Sequence, residues 1–305
     1  MVRRMWALIA ALWPPLPVWK RLDAAVLLVV IYSLLVYGVM HQLHLPLPNW
    51  GSLSAVLNTL VLGVLLQFRN REAYDRWWEA RRLWGQLVND SRNLSIKVRH
   101  LAGVPTDDRA KLGRAIAGFA VGLRNHLRGV GTLQDVPNFS TSSANPTHVP
   151  AHIAMEIVGM LQSWRRSGRI SDFDLLVLDP HVRAFMDVTG GCERIRSTPV
   201  PQSYRALLRH GLVLYLVSTP WLIAEELHWA VAPVMALAAY FLLGIEMTAE
   251  DVEEPFGRDG DDLALTTYCD TIRKSASEIL GVGLLPAPAS IEIQLPPLGM
   301  RGGKL

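Results

Sequence analysis

Four stretches of this chain, residues 24–40, 51–68, 210–224 and 229–245, contain no Asp, Glu, Lys or Arg and are too apolar to sit against water. Each is somewhat shorter than the ~20 residues that carry a helix through a hydrocarbon core. They come, however, as two closely spaced pairs, which favours four membrane-spanning helices over one very apolar soluble core. Composition agrees. Half of the residues are apolar and 19% are charged, against ~25% charged in soluble domains. A net charge of +3 without a basic block argues against nucleic acid as a partner. Cys192 and Cys269 have no metal-ligand spacing and read as two buried thiols.

The basic residues orient the spans. Arg3, Arg4, Lys20 and Arg21 precede the first, Arg69, Arg71 and Arg76 follow the second, and Arg205 and Arg209 precede the third. The links 41–50 and 225–229 carry no Lys or Arg. Basic residues stay on the cytoplasmic side, so both termini and residues 69–209 are expected there. The expected organisation is all-α. It comprises an N-terminal interfacial segment (1–22), a transmembrane hairpin (23–68), a cytoplasmic helical domain (69–209), a second hairpin (210–248), an acidic motif with a helix (249–282) and a disordered Pro-rich tail (283–305). Pro14 and Pro15 interrupt the first apolar run, which argues against a signal peptide, and Trp6 and Trp13 suit an interfacial helix. Within the cytoplasmic part, apolar spacings of three and four predict helices over 70–100, 107–129, 151–165 and 172–190, with Thr106 as a cap for the second.

No phosphate loop, dinucleotide fingerprint, nucleophile elbow or zinc motif is present, so no enzyme class suggests itself. His41 with His44, and Glu225 and Glu226 with His228, lie at membrane edges, where wet side chains without a ligand are the plainer reading. The second span is more informative. Leu53, Leu60, Val64 and Phe68 share one helical face with Gln67 beside them, and Arg71 and Asp75 extend that stripe beyond the apolar run. No turn signal separates "LVLGVLLQF" from "RNREAYDRWW", so the helix is expected to continue out of the membrane.

The stretches "FRNREAYDRWWEARRLWG" (68–85), "GGCERIRSTPVPQSY" (190–204) and "EDVEEPFGRDGDDL" (250–263) resemble the bestrophin family, most closely its bacterial arm. The resemblance covers roughly residues 1–285 and includes the order of spans and motifs. It implies a homopentameric channel of the bacterial inner membrane, with one pore on the five-fold axis and a cytoplasmic vestibule built from the same chains. The family's hydrophobic neck maps onto Leu60, Val64 and Phe68, and its cytosolic aperture onto Ile195. Val64 and Gln67 depart from the family's usual residues at the neck. In animal relatives the acids after the Pro-Phe-Gly motif clasp calcium. Asp259 and Asp262 are the corresponding candidates here, with Arg258 and Gly260 where acids would stand, and a solvated capping turn is the alternative. No cofactor is required. The function expected is passage of small monovalent ions, leaning to cations because the neck offers no basic ring, with chloride or other anions, which animal relatives conduct, as the other possibility. The alternative is a non-conducting membrane scaffold whose helical domain binds partners.

Overall fold

The computed structural model describes residues 17–43, 51–101, 103–139 and 143–286. Side chains are described from Lys20 onward and, in the second helix, at position 60 and from 62 to 100. Eight α-helices follow in order: α1 (Pro17–Leu43), α2 (Gly51–Leu101), α3 (Thr106–Leu127), α4 (Val149–Arg166), α5 (Asp172–Ser197), α6 (Gln202–Leu227), α7 (Val231–Val252) and α8 (Leu265–Leu280). Single 3-10 turns stand at Leu133–Asp135 and His228–Ala230, and no strand occurs among the described residues. The chain divides into two compact units. One is built from residues up to Arg82 together with Arg194–Leu263, the other from Leu83–Glu193 and the residues from Ala264.

In the first unit, α1, α6 and α7 pack around Val29, Val36, Met40, Leu216, Val231, Met235 and Ala239, with Leu62 of α2 in the same core. Their other faces expose Leu28, Leu35, Leu214, Leu237 and Phe241. Apolar surface this extensive on both sides of a helix layer suits hydrocarbon, not water. Lys20–Leu43 and the α6–α7 stretch Gln202–Val252 are long and apolar enough to cross a membrane. The expected second span begins α2, and most of its outer side chains lie outside the described residues.

The second unit is built on α3, which is buried along most of its length and packs against α4 and α8. Gly118 lets the segment after the 3-10 turn close in, because a Cβ there would come 2.9 Å from the Phe139 ring. The Phe119 and Phe185 rings stack at 4.9 Å. Asp107 and Asp108 occupy the first turn of α3, where the helix dipole favours acids. Thr106 is the first helical residue and not the cap; that position is Pro105, and the Thr106 hydroxyl accepts from Arg109 at 3.0 Å.

Pro180 and Pro220 lie inside α5 and α6, where each removes a backbone donor. In both helices the carbonyl three residues earlier takes a side-chain donor. Lys97 donates to Val177 at 3.2 Å, and the Tyr32 hydroxyl donates to Val217 at 2.9 Å while accepting from the Trp221 indole at 2.8 Å. A polar side chain inside a membrane bundle needs such a partner, since lipid offers none.

Two expectations change at the ends. Residues 1–16 of the expected interfacial segment lie outside the described residues, and α1 begins within that segment at Pro17. The start of the expected disordered tail is held in place. Leu285 is buried, its carbonyl accepts from Arg273 at 2.8 Å, and its N–H donates to the Ser277 hydroxyl at 3.2 Å. Residues from 287 onward lie outside the described residues.

Cys192 and Cys269 are buried thiols outside any disulfide, as expected. Burial pushes the Cys269 thiol up to about 12, so the reactive thiolate is scarce at neutral pH. Native protein at pH 7.5 is therefore expected to resist a thiol-labelling reagent, and to take up two labels per chain once denatured. Rapid labelling of the native form at either cysteine, read by mass spectrometry, would contradict this packing.

Candidate ion-conduction surface

Helix α2 carries two apolar faces. Leu62 and Leu66 are buried in the first unit, while Leu60, Val64 and Phe68 are 64%, 49% and 58% exposed. The exposed three stand four residues apart, and Gly63 and Gln67 line the same surface. Below them Arg71 and Asp75 form an exposed i, i+4 ion pair at 3.8 Å. The helix continues without a break to Leu101, as the missing turn signal predicted. Among the described residues nothing covers the Leu60–Val64–Phe68 face.

One residue past the exposed Phe68, Arg69 is fully buried. Its Nη2 donates to Glu253 Oε2 at 2.7 Å, and its Nε lies 3.6 Å from Glu246 Oε2, an ion contact and not a hydrogen bond. Arg209 approaches the same Glu246 carboxylate at 3.7 Å and pairs with Glu250 at 2.9 Å. The other oxygen of Glu253 accepts the Val200 N–H at 3.0 Å. Arg76, two turns further along α2, donates to the carbonyls of Ile195 at 2.6 Å, Thr198 at 2.5 Å and Glu253 at 3.3 Å. The Trp77 indole donates to the Asp261 carbonyl at 3.1 Å. The three motif stretches around 68–85, 190–204 and 250–263 therefore meet in one polar seam.

A family model of bacterial and fungal bestrophin proteins matches residues 3–278. The chain belongs to the bestrophin family. It is 32% identical over 289 residues to a voltage-dependent anion channel-forming protein of Synechocystis, covering 91% of this chain and 92% of that protein. A protein of the same description from Mesorhizobium japonicum is 33% identical over 264 residues, 84% of this chain and 85% of that one. Among solved structures, a bacterial bestrophin homologue from Klebsiella pneumoniae superposes with a TM-score of 0.79 at 26% identity, covering 86% of this chain and 99% of that one.

The other expected site residues of this bestrophin chain lie as follows. The Ile195 side chain is 3% exposed. Within this one chain it is packed into the core, and its carbonyl is held by Arg76. Asp259 and Asp262 are brought together, though not as two converging carboxylates. The Asp262 carboxylate accepts the Asp259 N–H at 2.5 Å, and the Leu263 N–H returns to the Pro255 carbonyl at 3.0 Å. The Asp262 carboxylate lies so close over Gly257 that no Cβ fits there. Half of the candidate calcium pair thus closes its own turn.

Sequence reading missed two clusters. The Arg69–Glu246–Glu253 seam joins residues too far apart for any spacing to reveal, although a lone arginine abutting an apolar run was a hint. The second cluster is in the other unit, where His126 and His148 both meet Glu193 Oε1, at 2.6 and 2.8 Å. Burial works against ionisation of Glu193, but the hydrogen bonds from the two imidazoles outweigh it and hold the carboxyl below its usual range.

A buried ion pair that loses one partner leaves the other charge stranded, at a cost of about 3–5 kcal/mol. Glu253→Ala is expected to lower stability by about that amount, measured by SDS titration of the detergent-solubilised protein against wild type. An exposed control, Asp75→Ala, should stay within about 0.5 kcal/mol. Equal, small effects of the two substitutions would mean that the seam does not hold the helix.

Proposed function

We propose that this chain is the subunit of a homopentameric ion channel of the bacterial inner membrane, non-enzymatic, passing small monovalent ions through a neck ringed by Leu60, Val64 and Phe68. The observation that carries this reading is the uncovered apolar stripe on α2, a helix whose opposite face is buried. One copy of the stripe encloses nothing. Several copies arranged by rotation close into a ring, the symmetric solution that leaves no face unmatched. Such a ring offers few hydrogen bonds to a hydrated ion and gates by dewetting. The Klebsiella homologue and the channel-forming descriptions of the curated relatives support the same reading.

Four membrane helices, α1, the first part of α2, α6 and α7, with both termini cytoplasmic, accord with the distribution of Lys and Arg around the apolar stretches. Selectivity is proposed to lean towards monovalent cations, against the anion-channel descriptions of the relatives. The stripe itself carries no charge, and the Arg71–Asp75 pair beneath it carries both signs. A neck of this kind discriminates weakly, and the sign of the lean is what an experiment must read.

Purified protein in planar bilayers under a salt gradient is expected to reverse on the cation side of zero. The triple variant Leu60→Ala, Val64→Ala, Phe68→Ala should conduct severalfold more, because a wider neck dewets less readily. Reversal near the anion potential would reject the cation lean and keep the channel. Silence from both proteins, with a monomer in solution, would reject the channel itself.

A further inference from the structure

We propose that His126, His148 and Glu193 form a binding site for a divalent transition-metal ion of the zinc class. The donor atoms of the three side chains lie within 4.8 Å of one another, the only such three-residue group of His, Cys, Asp or Glu among the described residues. They come from three separate places: His126 from the last turn of α3, His148 from the N-cap of α4 and Glu193 from α5. Their side chains are 25%, 37% and 36% exposed, so an ion reaches them from solvent.

The donor set suits the ion. Two imidazole nitrogens and one carboxylate oxygen make a three-ligand zinc site, with a fourth position left for water. Both Nε2 atoms already converge on a single carboxylate oxygen, Glu193 Oε1, at 2.6 and 2.8 Å, and the two rings stand 4.7 Å apart. Ligands about 2.0 Å from a tetrahedral ion stand about 3.3 Å from each other. Admitting an ion therefore lengthens the two nitrogen–oxygen separations by only about 0.5–0.7 Å.

One feature resists the ion and makes the proposal specific. His148 caps α4, its Nδ1 accepting the Ala151 N–H at 3.0 Å. That places the ring proton on Nε2, where it donates to Glu193. A metal at Nε2 displaces this proton to Nδ1, and the Ala151 N–H loses its acceptor. Metal binding and the cap of α4 thus compete for one imidazole. Asn at position 148 preserves a capping oxygen while removing the imidazole ligand, which separates loss of metal from loss of fold.

The test uses full-length, tag-free protein stripped with a chelator, titrated with zinc chloride by calorimetry. Wild type is expected to bind one zinc per chain with micromolar or tighter affinity. H126Q, H148N and E193Q should each weaken binding at least tenfold while keeping the wild-type circular dichroism. Cobalt(II) should give the visible bands of a four- or five-coordinate site in wild type and lose them in each variant. No saturable binding at micromolar zinc would overturn the proposal. So would binding that all three variants leave unchanged, which would place the ion elsewhere in the chain.

Discussion

The buried guanidinium of Arg69 is the constraint on which the membrane-facing unit depends. A charge with no exposed surface has to point at its counter-charges, and here these are Glu253 and Glu246, both near the end of α7. On a helix of 3.6 residues per turn, Leu62, Leu66, Ala73 and Ala80 share the face of Arg69, and all of them are buried. Leu60, Val64 and Arg71 fall about half a turn away. Fixing Arg69 therefore fixes the rotation of α2 about its axis, and with it the direction in which the apolar stripe looks. The direction of the stripe is set one residue beyond it.

The same seam settles a backbone problem. Between α5 and α6 the chain leaves helical geometry through Thr198, Pro199, Val200 and Pro201, and two prolines there give no N–H. The carbonyls at the end of α5 and the Val200 amide need partners that the break itself does not supply. Arg76 takes the Ile195 and Thr198 carbonyls, a cation at the negative end of a helix, and Glu253 takes the amide. Replacing this network with apolar side chains would leave those groups stranded, so here the buried charges act as connectors between segments as well as pairing with each other. Glu253 and Arg76 also touch directly through the Glu253 carbonyl, which makes the seam one network of shared partners.

What the sequence disclosed and what it withheld divide along the range of the interactions. The continuous α2 was legible because a helix ends on local signals, and none stands between Phe68 and Arg76. The apolar stretches were legible from composition, and the outward stripe from a period. The Thr106 cap failed for a local reason. The cap moved by one residue because Thr106 already has helical geometry and the extended Pro105 precedes it, leaving the helix without a side-chain cap. Ile195 was placed by likeness to a motif, and its burial within the single chain is a packing fact that a motif position does not carry. The tail misread from Gly283 shows the same limit. A Pro-rich composition suggested disorder, whereas Leu285 is pinned by Arg273 and Ser277, partners on α8 that no local pattern identifies. The acidic turn was half legible: its residues meet, but through an amide–carboxylate bond for which the missing side chain of Gly257 leaves room.

The electrostatics of the stripe bear on what a ring of these helices can do. Transfer of an ion into an apolar constriction is costly for either sign, since the cost comes from lost hydration and not from a fixed charge. In the proposed channel Leu60, Val64 and Phe68 would thus govern whether ions pass, while the sign that passes would be decided where charge first appears along the same face. That place is Arg71 with Asp75, and at 3.8 Å, with both side chains largely in water, each screens the other. A single pair of this kind leaves little net field at the lip of the neck, and a small change in its geometry changes which partner faces the ion. In the proposed channel conductance and selectivity would be separable along one helix, the first belonging to the uncharged turns above Arg69 and the second to the charged turns below it.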